Sequence, residues 1–165
     1  MATNNLRLEA ELNGVAPNRL IFAPTVSDNA DHLARHRQAD LFLDTFHYNA
    51  HATASDALWS GLPVLSCTGQ TFAGRVSASL LRAIGLPELV TESLSDYEAL
   101  AIKIARDPSL LAALKTKLAR NRESFPLFDT TRFTSNIEAA YTTIWRRYQR
   151  GEPPANIAVG TFETR

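Results

Sequence analysis

Residues Asp40–Thr68, "DLFLDTFHYNAHATASDALWSGLPVLSCT", decide the fold of this chain. Two apolar runs, "DLFLDT" (Asp40–Thr45) and "PVLSCT" (Pro63–Thr68), enclose a polar loop and a helical pattern that stops at Gly61. Each run is continuous rather than alternating, which suits strands of a parallel sheet covered on both faces. A strand, a helix and a second strand at this spacing form a right-handed βαβ unit.

The same alternation extends outward. On the N-terminal side, Leu6 to Leu12 reads as a helix, "NGVAPN" breaks it, and "RLIFAP" (Arg19–Pro24) is a short strand-like run stopped by proline. Asp31 to Arg37 looks helical. On the other side, a helix is expected from about Thr71 to Ile84, with Val76, Leu80, Leu81 and Ile84 on its apolar face and Gly85 as its stop. "ELVTES" offers a fourth, shorter strand. The last third is helical: Ser95 with Glu98 reads as a capping box, and Asp107-Pro108 as an N-cap followed by proline. Thr130 or Thr131 opens a final helix carrying Phe133, Ile137, Tyr141, Ile144, Trp145 and Tyr148 at helical spacing. The expected fold is therefore α/β, a Rossmann-like parallel sheet flanked by helices with a helical C-terminal third. Residues 1–150 form one domain, and the tail 151–165, "GEPPANIAVGTFETR", is expected to be flexible.

Composition narrows the function. The 165 residues suffice for one domain with a core, and 45% hydrophobic with 21% charged residues is a globular balance. Seventeen basic and 17 acidic side chains leave no net charge, against the basic excess that a broad nucleic-acid surface requires. No apolar run approaches the ~20 residues that span a bilayer, and the start "MATNNLRLEAE" lacks a signal-peptide core. A cytoplasmic location is the simplest expectation. Cys67, alone of its kind, allows no internal disulfide and reads as a small strand residue.

Several chemical motifs fail on inspection. His32 and His36 share a helical spacing, but "HLARH" lacks the glutamate of a zinc-protease helix and no further ligands complete a set. "GQTFAGRV" (Gly69–Val76) has the glycine spacing of a phosphate loop, but Arg75 and Val76 replace its lysine and hydroxyl, which leaves a strand-to-helix turn. No Gly-x-Ser-x-Gly elbow is present. What remains is "YNAHATASDALWSG" (Tyr48–Gly61), a loop and helix start at the C-terminal end of a strand, where α/β sheets bind ligands. Unpaired N–H groups at such a helix start suit a phosphate, with His51 and Thr53 beside it. Thr53-x-x-Asp56 is equally a capping pattern that needs no ligand, and local residues leave both readings open.

In combination the residues are more specific. "RLIFAP", the stretch from Asp31 to Leu81, "SFPLFDT" (Ser124–Thr130) and "IEAAYTTIWRRYQRGEPP" (Ile137–Pro154) resemble the C-terminal lobe of the O-linked N-acetylglucosamine transferases and their SPINDLY-like relatives. The resemblance runs from about Leu6 to Ile157. It implies the donor-binding lobe of a two-lobed, B-type glycosyltransferase fold, and a donor such as UDP-N-acetylglucosamine or another nucleotide sugar. GDP-fucose is the donor of some relatives. By resemblance, His32 stacks on the base, and Arg35 and the backbone near Ser27 read its edge. His51, Ala52 and Thr53 hold the diphosphate, and Asp56 accepts from ribose hydroxyls. No metal and no cofactor are expected, and no catalytic residue is assigned within the chain. Two departures stand out: Ala52 replaces a usual threonine, and Asn29 occupies the place of a common lysine. The N-terminal catalytic lobe, the helical repeats that recruit protein acceptors and an upstream phosphate-binding lysine are missing, so little or no sugar transfer to protein Ser or Thr is expected from this chain alone. The rival expectations are a non-catalytic nucleotide-binding module and a protein-interaction module.

Overall fold

The computed structural model describes residues 2–159. The chain divides into two compact units, with the boundary between His32 and Leu33.

The first unit contains helix α1 (Ala2–Leu12), a short turn at Pro17–Arg19, and the start of α2 (Asn29–Arg35). The run "RLIFAP" does not become a strand. Leu20 to Val26 has no regular structure and no ladder partner among the described residues, and Ile21 is 88% exposed. Apolar character gives a run the propensity for a strand, but only a neighbouring edge makes it one. Arg7 places its guanidinium over the Phe22 ring, 5.4 Å from the centroid. Asp28 supplies the cap of α2, its Oδ1 accepting from the N–H groups of Ala30 at 2.8 Å and Asp31 at 3.1 Å.

The second unit carries the sheet. Strands β1 (Phe42–Leu43), β2 (Val64–Cys67) and β3 (Val90–Thr91) are parallel in the order β1-β2-β3. Phe42 pairs with Val64 and Leu43 with Leu65, then Ser66 with Val90 and Cys67 with Thr91. Helix α3 (Ala52–Trp59) makes the crossover from β1 to β2, and α4 (Val76–Ala83) that from β2 to β3. Val64, Leu65 and Ser66 are fully buried, as a central strand covered on both faces requires. Around them pack Ala54, Ala57 and Leu58 of α3, Leu81 of α4, and Leu86 and Leu89 beyond it. Ile104 of α5 (Leu94–Arg106) and Leu114 and Leu118 of α6 (Pro108–Ser124) close the cluster. The expected α/β architecture is the one observed. No described helix is long and apolar enough to cross a membrane.

Caps shift slightly from their expected places. The box before α5 is Ser93 with Asp96, not Ser95 with Glu98. The Ser93 hydroxyl accepts from the Asp96 N–H at 3.1 Å and donates to its carboxylate at 2.6 Å. Helix α4 begins at Val76, after a tight turn at Ala73–Arg75, rather than near Thr71. The turn forms because the Gly69 N–H is held by the Gly74 carbonyl at 2.6 Å, which takes "GQTFAG" out of the helix. Asp107 does cap α6, accepting from Ser109 and Leu110, and its carboxyl is held below the usual range chiefly by the Ser109 hydroxyl. The final helix α7 (Thr130–Gln149) opens at Thr130, as expected, and is capped by Asp129. Of the tail, Glu152 pairs with Arg147 and Arg150, while 160–165 lie outside the described residues.

Helices α3 and α4 end alike. At Gly85, φ is +73°, the Gly85 N–H reaches the Arg82 carbonyl at 3.1 Å and the Leu86 N–H the Leu81 carbonyl at 2.8 Å. At Gly61, φ is +87° with the equivalent bonds to Leu58 and from Leu62 to Ala57. This double closure of a helix end requires the left-handed conformation that glycine adopts without penalty. Neighbouring residues of α6 reinforce both ends. Asn121, fully buried, donates to the Ile84 carbonyl at 2.8 Å and to that of Gly85 at 3.3 Å, and Arg122 donates to the Trp59 carbonyl.

The two glycines differ in their surroundings. A Cβ on Gly85 would sit 2.2 Å from Cε1 of Phe125, whereas one on Gly61 would meet only the Arg122 guanidinium at 4.0 Å. Gly85→Ala is expected to lower stability by about 2–4 kcal/mol, combining conformational strain with overpacking. Gly61→Ala should cost only about 1 kcal/mol, from conformation alone. Urea denaturation of both variants checks the difference.

Candidate functional site

Loop 44–51 joins the C-terminal end of β1 to the start of α3, and one carboxylate organises it. Asp44 is buried immediately after the strand. Its Oδ1 accepts from the N–H groups of Thr45 at 2.9 Å and Ala50 at 2.7 Å, and its Oδ2 accepts from the Ser66 hydroxyl at 2.6 Å. Charged acceptors make the stronger hydrogen bonds, and a buried one needs several donors. The loop is further fixed by Thr45, whose hydroxyl donates to the Tyr48 carbonyl at 2.9 Å, and by Ser77 of α4, whose hydroxyl donates to the Ala50 carbonyl at 2.6 Å. Buried Asn49 donates from its side chain to the Thr45 carbonyl at 3.0 Å, and from its N–H to the Ala73 carbonyl at 3.1 Å. The path of the chain into α3 is thus set by side chains on three elements.

Helix α3 begins at Ala52, with His51 in the capping position and no side-chain cap bond. This removes the capping explanation of Thr53, which lies inside the helix. The first bonded N–H is that of Ser55, to the His51 carbonyl at 3.1 Å. Those of Ala52, Thr53 and Ala54 have no acceptor among the described residues. Ala52 and Thr53 are exposed, and Asp56 is half-buried one turn further on. The His51 Nε2 lies 3.4 Å from the Ala73 carbonyl. A half-buried imidazole thus stands next to unpaired N–H groups at the positive end of a helix, an arrangement suited to an anion.

The other residues singled out from sequence fall as follows. Arg35 is half-buried in the last turn of α2, in the second unit. In the first unit, Ser27 is on an exposed bend and His32 is half-buried in α2.

Two features escaped the sequence reading. A cleft of about 400 Å³ borders the loop, between Phe46, His47, Asn49, Cys67, Gly69 and Leu94, and none of the residues chosen from sequence lines it. The second is Tyr97 of α5, whose hydroxyl donates to the Asp44 carbonyl at 3.0 Å and whose ring meets Phe46 edge-on at 4.9 Å. Burial, then the charges of Asp44 and Cys67, push the Tyr97 phenol up to about 12 from 10.0. The only sign of Asp44 in the sequence was an acid at the end of an apolar run. Tyr97 carried no signal, because its partner lies 53 positions away.

Asp44→Ala is expected to lower stability by about 3–4 kcal/mol, since it strands a buried hydroxyl and two N–H groups. Asp44→Asn retains an acceptor for the N–H pair and should lose only about 1–2 kcal/mol in the same urea titration. For Tyr97 the raised pKa favours the neutral phenol in the folded chain. The associated stability is present below pH 10 and is lost as pH rises toward about 12. Absorbance at 295 nm should show a late-ionising phenol near that upper value, absent from Tyr97→Phe.

Residues 1–137 match the family model for glycosyl transferase family 41. The chain is 35% identical over 142 residues to a probable UDP-N-acetylglucosamine–peptide N-acetylglucosaminyltransferase SPINDLY of Petunia hybrida, covering 86% of the chain and 15% of that protein. It is 36% identical over 154 residues to the corresponding probable transferase SEC of Arabidopsis thaliana, covering 93% of the chain and 16% of the relative. A mutant O-GlcNAc transferase of Thermobaculum terrenum superimposes with a TM-score of 0.80 at 37% identity, over 87% of this chain and 28% of that one. The chain therefore spans about one sixth of the curated relatives it matches. With a family match over most of its length, and a shared fold, the chain belongs to glycosyl transferase family 41.

Proposed function

We propose that this chain is the donor-binding part of a protein O-glycosyltransferase and that the start of α3 takes the diphosphate of a nucleotide sugar. The observation that carries the reading is the set of unpaired N–H groups at Ala52–Ala54 beside His51, with no side-chain cap competing for them. The relatives named as UDP-N-acetylglucosamine–peptide transferases make UDP-N-acetylglucosamine the first donor to test. In such a transfer the bond from the sugar anomeric carbon to the diphosphate breaks, and negative charge grows on the departing phosphate. Fixed N–H donors at a helix start stabilise that charge without reorganising. Asp56, one turn into α3, is proposed to accept from ribose hydroxyls, as an acid does in other nucleotide sites. The base-reading roles of Ser27, His32 and Arg35 follow from the family resemblance alone. The acceptor-binding surface and the rest of the catalytic apparatus are proposed to come from the portion that the longer relatives carry, so the isolated chain is expected to bind donor but transfer little or no sugar.

Titration calorimetry with UDP, uridine, UDP-N-acetylglucosamine and GDP tests the reading. UDP should bind at least about 10-fold tighter than uridine, and His51→Ala should remove most of that difference, as expected for a charge-assisted contact. Equal affinities for UDP and uridine would falsify the phosphate role. Asp56→Asn should weaken UDP and uridine alike. A lowered midpoint with intact affinity would instead make Asp56 a structural residue. Tighter binding of GDP than UDP would move the assignment to a different donor within the same reaction class.

A further inference from the structure

Tyr48 has no place in the core. Its side chain is 66% exposed, yet the backbone that carries it is fixed by the Thr45 hydroxyl on its own carbonyl. The ring lies on the imidazole of His51, with centroids 4.9 Å apart and planes inclined by 21°. On another side, Phe72, itself 78% exposed, meets the same imidazole edge-on at 6.2 Å and 89°. The Ala73 carbonyl faces Nε2 at 3.4 Å. A carbonyl oxygen only accepts, so this contact is a hydrogen bond when Nε2 carries the proton, and Nδ1 donates to a phosphate oxygen when it carries one as well. Two side-chain torsions of His51 are therefore restrained by a stack, an edge contact and a carbonyl.

We propose that Tyr48 is a positioning residue for diphosphate binding. Stacked on His51, it holds the imidazole in the orientation that meets the phosphate at the start of α3. This rests on the functional reading above and deepens it. A ligand that must order a rotamer-rich side chain loses affinity in doing so, and a neighbour that orders it beforehand removes that loss. The stack needs an aromatic face and not a hydroxyl, because offset rings attract through their π-systems and buried area. The role therefore belongs to the ring of Tyr48, and phenylalanine should perform it. It also runs through His51: once the imidazole is gone, Tyr48 has nothing to position.

The test is a double-mutant cycle on the whole chain, with UDP and uridine as probes in calorimetry. Tyr48→Ala should bind UDP about 3- to 10-fold more weakly and leave uridine binding unchanged, the size expected for one stacked, pre-ordered side chain. Tyr48→Phe should bind UDP within about 2-fold of the parent. Tyr48→Ala combined with His51→Ala should bind UDP no worse than His51→Ala alone, since residues acting through one another are non-additive. The ring protons of His51 should show an aromatic upfield shift in the parent and in Tyr48→Phe, and lose it in Tyr48→Ala. Parental UDP affinity in Tyr48→Ala would overturn the proposal, as would independent, additive losses in the double variant or failure of Tyr48→Phe to rescue. If the parent itself does not distinguish UDP from uridine, the phosphate reading falls and the role of Tyr48 falls with it. That outcome is visible in the parent alone and so is distinct from the others.

Discussion

One carboxylate ties the sheet to the helix start. Asp44 leaves β1 with its own N–H bound to the Leu65 carbonyl at 3.0 Å, turns its side chain back onto Ser66 of β2, and holds the N–H of Ala50 at the far end of the loop. The backbone bond continues the ladder between the strands. The side-chain bonds close the loop, so register and loop path are coupled through a single residue. Such a group is expensive to bury and strongly destabilising to leave half-satisfied, which confines the loop to the one path that supplies its donors. The position of His51, and with it the presentation of α3, follows from that confinement. Tyr97 extends the arrangement to α5 by donating to the Asp44 carbonyl.

The order of elements was legible from residues 40–68 because periodicity and glycine stops are local signals. The apolar runs at Asp40–Thr45 and Pro63–Thr68 contain β1 and β2, and Gly85 ends α4 where expected. Local signals are also where the reading slipped. Serine occurs at both 93 and 95 with an acid three residues on, and only the chain's exit from β3 selects the first as the cap. "RLIFAP" has the composition of a strand but no edge to pair with among the described residues. The Thr53–Asp56 pattern imitates a cap, yet His51 already occupies that position, so the pattern starts two residues past it, within the first turn of the helix. In each case the deciding fact was the course of the chain in space.

The same distinction separates the parts of the candidate site. His51, Thr53 and Asp56 were recognisable as a group because they sit within six positions of one another. Asp44 with Ser66 and Asp44 with Tyr97 are separated by 22 and 53 positions, and those distances carry no pattern in a single sequence. Family resemblance compensated in part, since the stretch from Asp31 to Leu81 that carries it includes Asp44, without assigning that residue a task. The supporting layer had to come from coordinates.

Ala52 looked discordant because it lacks a hydroxyl. In the folded chain what it contributes is a main-chain N–H with no acceptor among the described residues, a group common to nineteen of the twenty amino acids. The proposed diphosphate site, built from such atoms, is written in the path of the backbone and leaves no letter in the sequence. It can survive substitution at the very positions that form it, provided the helix still starts at the same residue. For the proposed site, a substitution at position 52 therefore matters less than a shift in where α3 begins.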